Sequence, residues 1–271
     1  EGAIVLLFIL MFILASVFVE DFFDSSNIIN LVRQISFLAI IGLGQFFVIL
    51  IGGIDMSVGS TIGLVSILLA DLLSSYQLPI ALAIIIVLAV TLVVGLVNGM
   101  IAVYGHVTPF IATLITMIII KGINFLYSNG IPISGLPREF NFLGAGHVGP
   151  IPFPIIILVL IGAICYILTM KTSLGRSLYA VGGNLEATKL SGINTNRVRI
   201  FAFMMSSFLA GIGAILITSR TMSGQPAIGE AMLFDIITIV VLGGTSLSGG
   251  RGKVIGVIFA ALILGIIDNV M

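Results

Sequence analysis

Apolar residues run in long blocks along this chain, and short polar stretches separate them. Nine blocks approach the length of a membrane span: 3–19, 35–52, 57–73, 79–103, 108–127, 152–170, 200–219, 232–243 and 254–270. A span needs roughly 20 apolar residues. Apolar runs of this length predict helices, because a transmembrane strand would alternate over roughly 10-residue segments with a polar lumen face. The expected fold is all-α: a polytopic transmembrane bundle forming one domain over 1–271.

Two interruptions resemble each other. One is Ile51-Gly-Gly-Ile-Asp-Met-Ser-Val-Gly-Ser60; the other is Leu242-Gly-Gly-Thr-Ser-Leu-Ser-Gly-Gly-Arg-Gly-Lys253. Matched Gly-rich breaks predict discontinuous helices lining a pathway. Irregular backbone at membrane depth must be buried in protein or face water. Asp55 sits inside the first break. A carboxylate there is expected to cap the next helix, to contact a substrate or to meet another subunit. Lys121 and Asp235 are read as snorkelling or interfacial, while Asn98 and Asn124 can serve helix–helix hydrogen bonds. Closely spaced small residues (Gly42/Gly44, Gly95/Gly99, Gly211/Gly213, Gly256 to Gly265) predict tight helix packing.

Composition agrees with membrane insertion. Hydrophobic residues make up 59%, charged residues 8%, and mean hydropathy is +1.31. Too few charges remain to cover a soluble surface, where about 25% is usual. Zero net charge says nothing about nucleic acid, and no basic run is dense enough to suggest it. The single cysteine, Cys165, rules out a disulfide framework. His106 and His147 are far apart, so no metal site is expected. No nucleophile–base arrangement can be assembled, which argues against an enzyme. Leu247-Ser-Gly-Gly-Arg251 imitates an ATPase signature, but Gly250 and Arg251 stand where a P-loop requires Lys and Ser/Thr.

The basic residues are unevenly placed. Lys171, Arg176, Lys189, Arg197 and Arg199 fall in one loop, 171–199. With that loop in the cytoplasm, seven Lys/Arg lie inside (these five, Arg251 and Lys253) against three outside (Arg33, Arg138, Arg220). The N-terminus is then cytoplasmic, and the last block ends outside, as if a tenth span were missing. Residues 20–30 are expected to be an interfacial turn. The external loop 128–151, with the two prolines that follow, contains five of the eight prolines and is expected to be ordered but non-helical.

Within the basic loop, Asn184 is a candidate N-cap and Gly192 a candidate C-terminal stop, bounding a short helix of about two turns. The stretch Glu186-Ala-Thr-Lys-Leu-Ser-Gly192 resembles the EAA-x-x-x-G loop of ABC importer permeases, with Thr188 in the third place. Four further stretches narrow the resemblance. They are Gly53-Ile-Asp-Met-Ser-Val-Gly-Ser60, Pro109-Phe-Ile-Ala-Thr-Leu114, Thr172 to Asn184, and Val241 to Arg251, with Ser223-Gly-Gln-Pro226 beside them. From about residue 28 onward the chain resembles the permease subunits of bacterial monosaccharide importers, such as the ribose, galactose, xylose and autoinducer-2 permeases.

That resemblance implies an inner-membrane permease with no cofactor of its own. Its partners would be a cytoplasmic ABC ATPase, a periplasmic or lipid-anchored sugar-binding protein and a second permease copy, identical or paralogous. The coupling helix would use Asn184, Glu186, Ala187, Thr188, Lys189 and Gly192. Candidate substrate-path residues are Asp55, Ser57, Ser60, Asn98, Thr113 and Thr116. Branched-chain amino acids or nucleosides are alternative cargoes. An ion-coupled transporter acting alone is the rival mechanism, with Asp55 as its one serious candidate residue.

Overall fold

The computed structural model, which describes residues 2–18 and 22–270, is built almost entirely of helices and the loops that join them. In chain order the helices are α1 (Gly2–Phe18), α2 (Ser25–Leu50), α3 (Val58–Ser74), α4 (Ile80–Tyr104), α5 (Pro109–Ser128), α6 (Phe142–Ala145), α7 (Phe153–Lys171), α8 (Ser173–Gly183), α9 (Leu185–Leu190), α10 (Thr195–Thr221), α11 (Met232–Leu242) and α12 (Val254–Val270). Five of them (α2, α4, α5, α7, α10) are long and apolar enough to cross a membrane, and α1, α3, α11 and α12 are shorter apolar helices. Each of the nine apolar blocks therefore carries a helix. Both Gly-rich interruptions are breaks: the first spans 51–57 and the second 243–253.

α2 and α10 form the centre. In their most apolar stretches 83% and 67% of residues are buried, against 22%, 28% and 33% in α4, α5 and α7. The outer helices carry large apolar side chains on the surface, among them Ile85, Val93, Ile118 and Leu126. In water that surface would drive aggregation; in lipid it is the stable arrangement.

The small residues work as expected. A methyl on Gly95 of α4 would come 2.6 Å from the Phe203 carbonyl oxygen and the Met204 Cα of α10. One on Gly44 of α2 would come 2.8 Å from the Ser206 carbonyl oxygen. Such approaches give close van der Waals packing, which is what holds helices together where burial from water contributes little.

Two expectations need correction. Residues 20–30 are not simply a turn. Glu20 and Asp21 lie outside the described residues, but helix α2 already begins at Ser25. Its first turn is tied down by the Asn27–Asn269 amide pair, in which Asn269 Nδ2 donates to Asn27 Oδ1 at 2.7 Å. The external loop is not non-helical either. It holds a 3-10 turn (Arg138–Asn141), α6 and a two-stranded hairpin of β1 (His147–Val148) with β2 (Ile151–Pro152). Pro137 precedes the 3-10 turn, Pro150 sits in the hairpin turn, Pro152 ends β2 and Pro154 lies in the first turn of α7. Gly144 seats α6 on α10, where its N–H donates to Ser219 Oγ at 2.7 Å.

Candidate functional site

The charged loop and the first break lie toward one end of the bundle. Arg33, in the third turn of α2, and Leu50, at its C-terminal end, are about 25 Å apart at 1.5 Å per residue. Arg33 contacts the external loop, with Nη2 3.0 Å from His147 Nε2. Leu50 instead meets the second break, where Gly250 N–H donates to its carbonyl at 2.8 Å. Tyr179 of α8 donates from its hydroxyl to Gly252 O at 2.8 Å, placing α8 at this same end. Burial pushes the Tyr179 phenol up to about 12, so it stays protonated and able to donate at physiological pH.

α8 and α9 form an elbow. Thr172 caps α8, with Oγ1 accepting from Gly175 N–H at 3.1 Å. Asn184 caps α9, with Oδ1 accepting from Ala187 N–H at 2.9 Å. Gly192 follows at φ +81°, a left-handed conformation that glycine adopts without strain. The helix expected between Asn184 and Gly192 thus has both of its expected boundary residues. Its six residues expose Glu186, Ala187 and Lys189 and bury only Thr188, whose hydroxyl donates to Asn184 O at 2.7 Å. Sequence reasoning missed Leu190, which is 90% exposed. An apolar side chain in an otherwise polar loop was the available signal.

The six path candidates come together in part, and all are buried, from 0% to 8% exposed. Asp55 Oδ1 accepts from Ser57 N–H (2.9 Å) and Ser57 Oγ (2.6 Å), while Oδ2 accepts from Ser206 Oγ (2.9 Å). Asn98 Nδ2 of α4 donates to Ser57 Oγ at 2.8 Å. Because the Ser57 hydroxyl proton goes to Asp55, the Asn98 amide must present its NH2 to Ser57. Thr113 of α5 accepts from Met56 N–H at 3.0 Å. Asp55, Ser57, Asn98 and Thr113 therefore pin the first break to α4, α5 and α10. Asp55 is not the N-cap of α3: that place belongs to Ser57, which Asp55 holds. Ser60 Oγ donates to the N-cap carbonyl, Ser57 O, and Thr116 Oγ1 to Ala112 O of its own helix, so neither reaches across to another helix.

Of two other polar residues, one differs from its simple expectation and one meets it. Lys121 does not merely snorkel: it forms an ion pair with Glu230 at 2.7 Å. Asn124 binds across helices as expected, donating to Ser60 O at 2.9 Å and Pro226 O at 3.3 Å. A cleft of about 630 Å³, lined by Ile4, Leu7, Tyr179, Leu242 and Arg251 among others, opens beside the second break and touches none of the six path candidates. Among the described residues no group of three His, Cys, Asp or Glu could hold a metal ion.

Broken helices around a buried polar hinge, lipid-facing outer helices and an exposed helical elbow at the basic end define a polytopic membrane permease. Residues 27–271 match the family described as branched-chain amino acid transport system / permease component, and the chain belongs to that family. It is similar to the ribose import permease of Haemophilus influenzae, 42% identical over 97% of this chain and 82% of the relative. The ribose import permease of Bacillus subtilis is 43% identical over the same shares. The D-allose transport system permease of Escherichia coli is 34% identical over 99% of this chain and 82% of the relative. These relatives bear out the resemblance to monosaccharide importer permeases read from the motifs. No solved structure matches the chain.

Proposed function

We propose that this chain is the membrane-spanning subunit of an ATP-driven importer of a monosaccharide, with a ribose-like sugar as first choice. The observation that carries the assignment is the capped helix α9, exposed at the basic end, in a chain whose relatives import ribose and allose. A binding protein outside the cell delivers the sugar, and a cytoplasmic ABC ATPase docks on α9. Two permease copies enclose the path and alternate which side it faces. Nine helices then cross or enter the inner membrane, with the N-terminus in the cytoplasm.

In this reading Glu186, Ala187 and Lys189 contact the ATPase and Leu190 anchors the contact, while Asn184, Thr188 and Gly192 hold the helix in shape. Ser57, Asn98 and Thr113 act with Asp55 on the sugar path by fixing the wall of the first break. Ser60 and Thr116 stabilise the helices beside it. Their burial supports a structural part in this state.

Glu186→Arg and Gly192→Pro test the assignment in the assembled transporter. Proline cannot adopt the positive φ of residue 192. Both variants are expected to lose ATP-dependent ribose uptake. Normal uptake and sugar-stimulated ATP hydrolysis in both would overturn the docking role.

A further inference from the structure

Three segments distant in sequence meet at a point that has no side chains. Gly182, at the end of α8, lies against Leu50 at the end of α2, so that a methyl on Gly182 would overlap the Leu50 carbonyl oxygen. The same methyl would overlap the Gly250 nitrogen in the second break. Gly250 N–H donates to that same Leu50 oxygen at 2.8 Å. A methyl on Gly249 would come 2.7 Å from Gly52 N in the first break and 2.9 Å from Gly182 O. Gly249, Gly250 and Gly52 all have positive φ (+82°, +72° and +79°). Main chain therefore touches main chain across all three segments, and a methyl would wedge at least two of the contacts apart.

We propose that this glycine junction is the mechanical link from the ATPase-docking elbow to both broken helices. The inference rests on the function proposed above and adds the residues that transmit the motion. α9 follows Gly182 by only three residues, so displacement of α9 must act on α8 and on the junction. A contact between backbones has no rotamers to absorb the movement, and coupling across a protein travels through such contiguous contacts. One end of α8 thus grips the end of α2 at Leu50, next to the first break, and the second break at Gly250. Tyr179, one turn earlier, adds a second grip through its hydrogen bond to Gly252. Both breaks are then driven together, which a switch between inward and outward states requires.

Adjacent glycines supply a controlled test. Gly182 and Gly183 are both helical, but a methyl on Gly183 meets nothing within 4 Å. The full-length chain is assembled with its ATPase and binding protein in proteoliposomes, and radiolabelled D-ribose taken up per ATP hydrolysed is measured. Gly182→Ala is expected to lower that ratio by roughly tenfold or more while the ATPase still co-purifies, and Gly183→Ala to match the wild type. Tyr179→Phe removes one hydroxyl and nothing else, and is expected to lower the ratio several-fold. If Gly182→Ala does not assemble, Tyr179→Phe decides. Wild-type ratios in Tyr179→Phe and in an assembled Gly182→Ala overturn the junction. Uptake by the wild type that needs no ATPase overturns instead the function on which it rests.

Discussion

Ser206 in the middle of α10 donates a 2.9 Å hydrogen bond to Asp55 in the first break, across 151 positions of sequence. A fully buried carboxylate survives only if its lone pairs are occupied, and here two serine hydroxyls and one N–H occupy them. The bond fixes the irregular segment between α2 and α3 against one of the two central helices. Asp55→Ala leaves the Ser57 N–H and both hydroxyls without their acceptor, at about 1–3 kcal/mol for each buried group stranded. The expected loss is about 3 kcal/mol or more, read as a lower melting temperature in detergent. Asp55→Asn retains one acceptor oxygen and is expected to lose about 1 kcal/mol. Equal melting temperatures for Asp55→Ala and the wild type would remove the structural role.

The positions of these elements were legible to different depths. Apolar runs located all nine apolar helices, five of them long and four shorter, because such runs have few alternatives to helix in lipid. The two breaks were legible because clustered glycine interrupts such runs. The elbow at 184–192 was legible because Asn and Gly carry local conformational preferences that need no tertiary partner. Asp55 was identifiable as exceptional, but its partner Ser206 was not. A serine inside an apolar helix gives no sign of which residue, over a hundred positions away, it will meet. The glycine junction was hidden for the same reason: glycine signals that something comes close, without saying what. The helical pieces of the external loop were obscured by proline, which here flanks or opens elements rather than preventing them.

The Lys121–Glu230 pair is expected to contribute little where water reaches it, as at the outer interface. Its side chains are 48% and 36% exposed, so there solvent screens the attraction. Lys121→Met is expected to change unfolding stability by less than about 1 kcal/mol, and a double-mutant cycle with Glu230→Gln to give a coupling of about 0.2–1 kcal/mol. A coupling of several kcal/mol would mean that the pair is desolvated in the assembled membrane complex.

Asn184 is expected to matter for the shape of α9 rather than for global stability. Its Oδ1 satisfies the Ala187 N–H, one of the four unpaired donors at the start of that helix. Asn184→Ala is expected to cost about 1 kcal/mol locally and Asn184→Asp almost nothing. Amide hydrogen exchange at 186–190 is the measurement: it should speed up in the alanine variant by roughly fivefold and stay near wild type in the aspartate variant. Unchanged exchange in Asn184→Ala would show that neighbouring α8 and α10 hold the helix without its cap.

Glycine in these helices separates into contact positions and free positions, and alanine substitution should distinguish them by sign. Gly95 faces α10 with no room for a methyl, so Gly95→Ala must push two long helices apart. Overpacking of this kind costs about 1–3 kcal/mol. Gly122 in α5 has nothing within 4 Å of where a methyl would sit. There the only change is conformational: alanine restricts the unfolded chain and favours helix by about 0.5–1 kcal/mol. Gly95→Ala is expected to lower the melting temperature of the purified protein, and Gly122→Ala to raise it or leave it unchanged. A stabilising Gly95→Ala would mean that α4 and α10 are not in backbone contact, and would undo the close packing of α4 on the central helix α10.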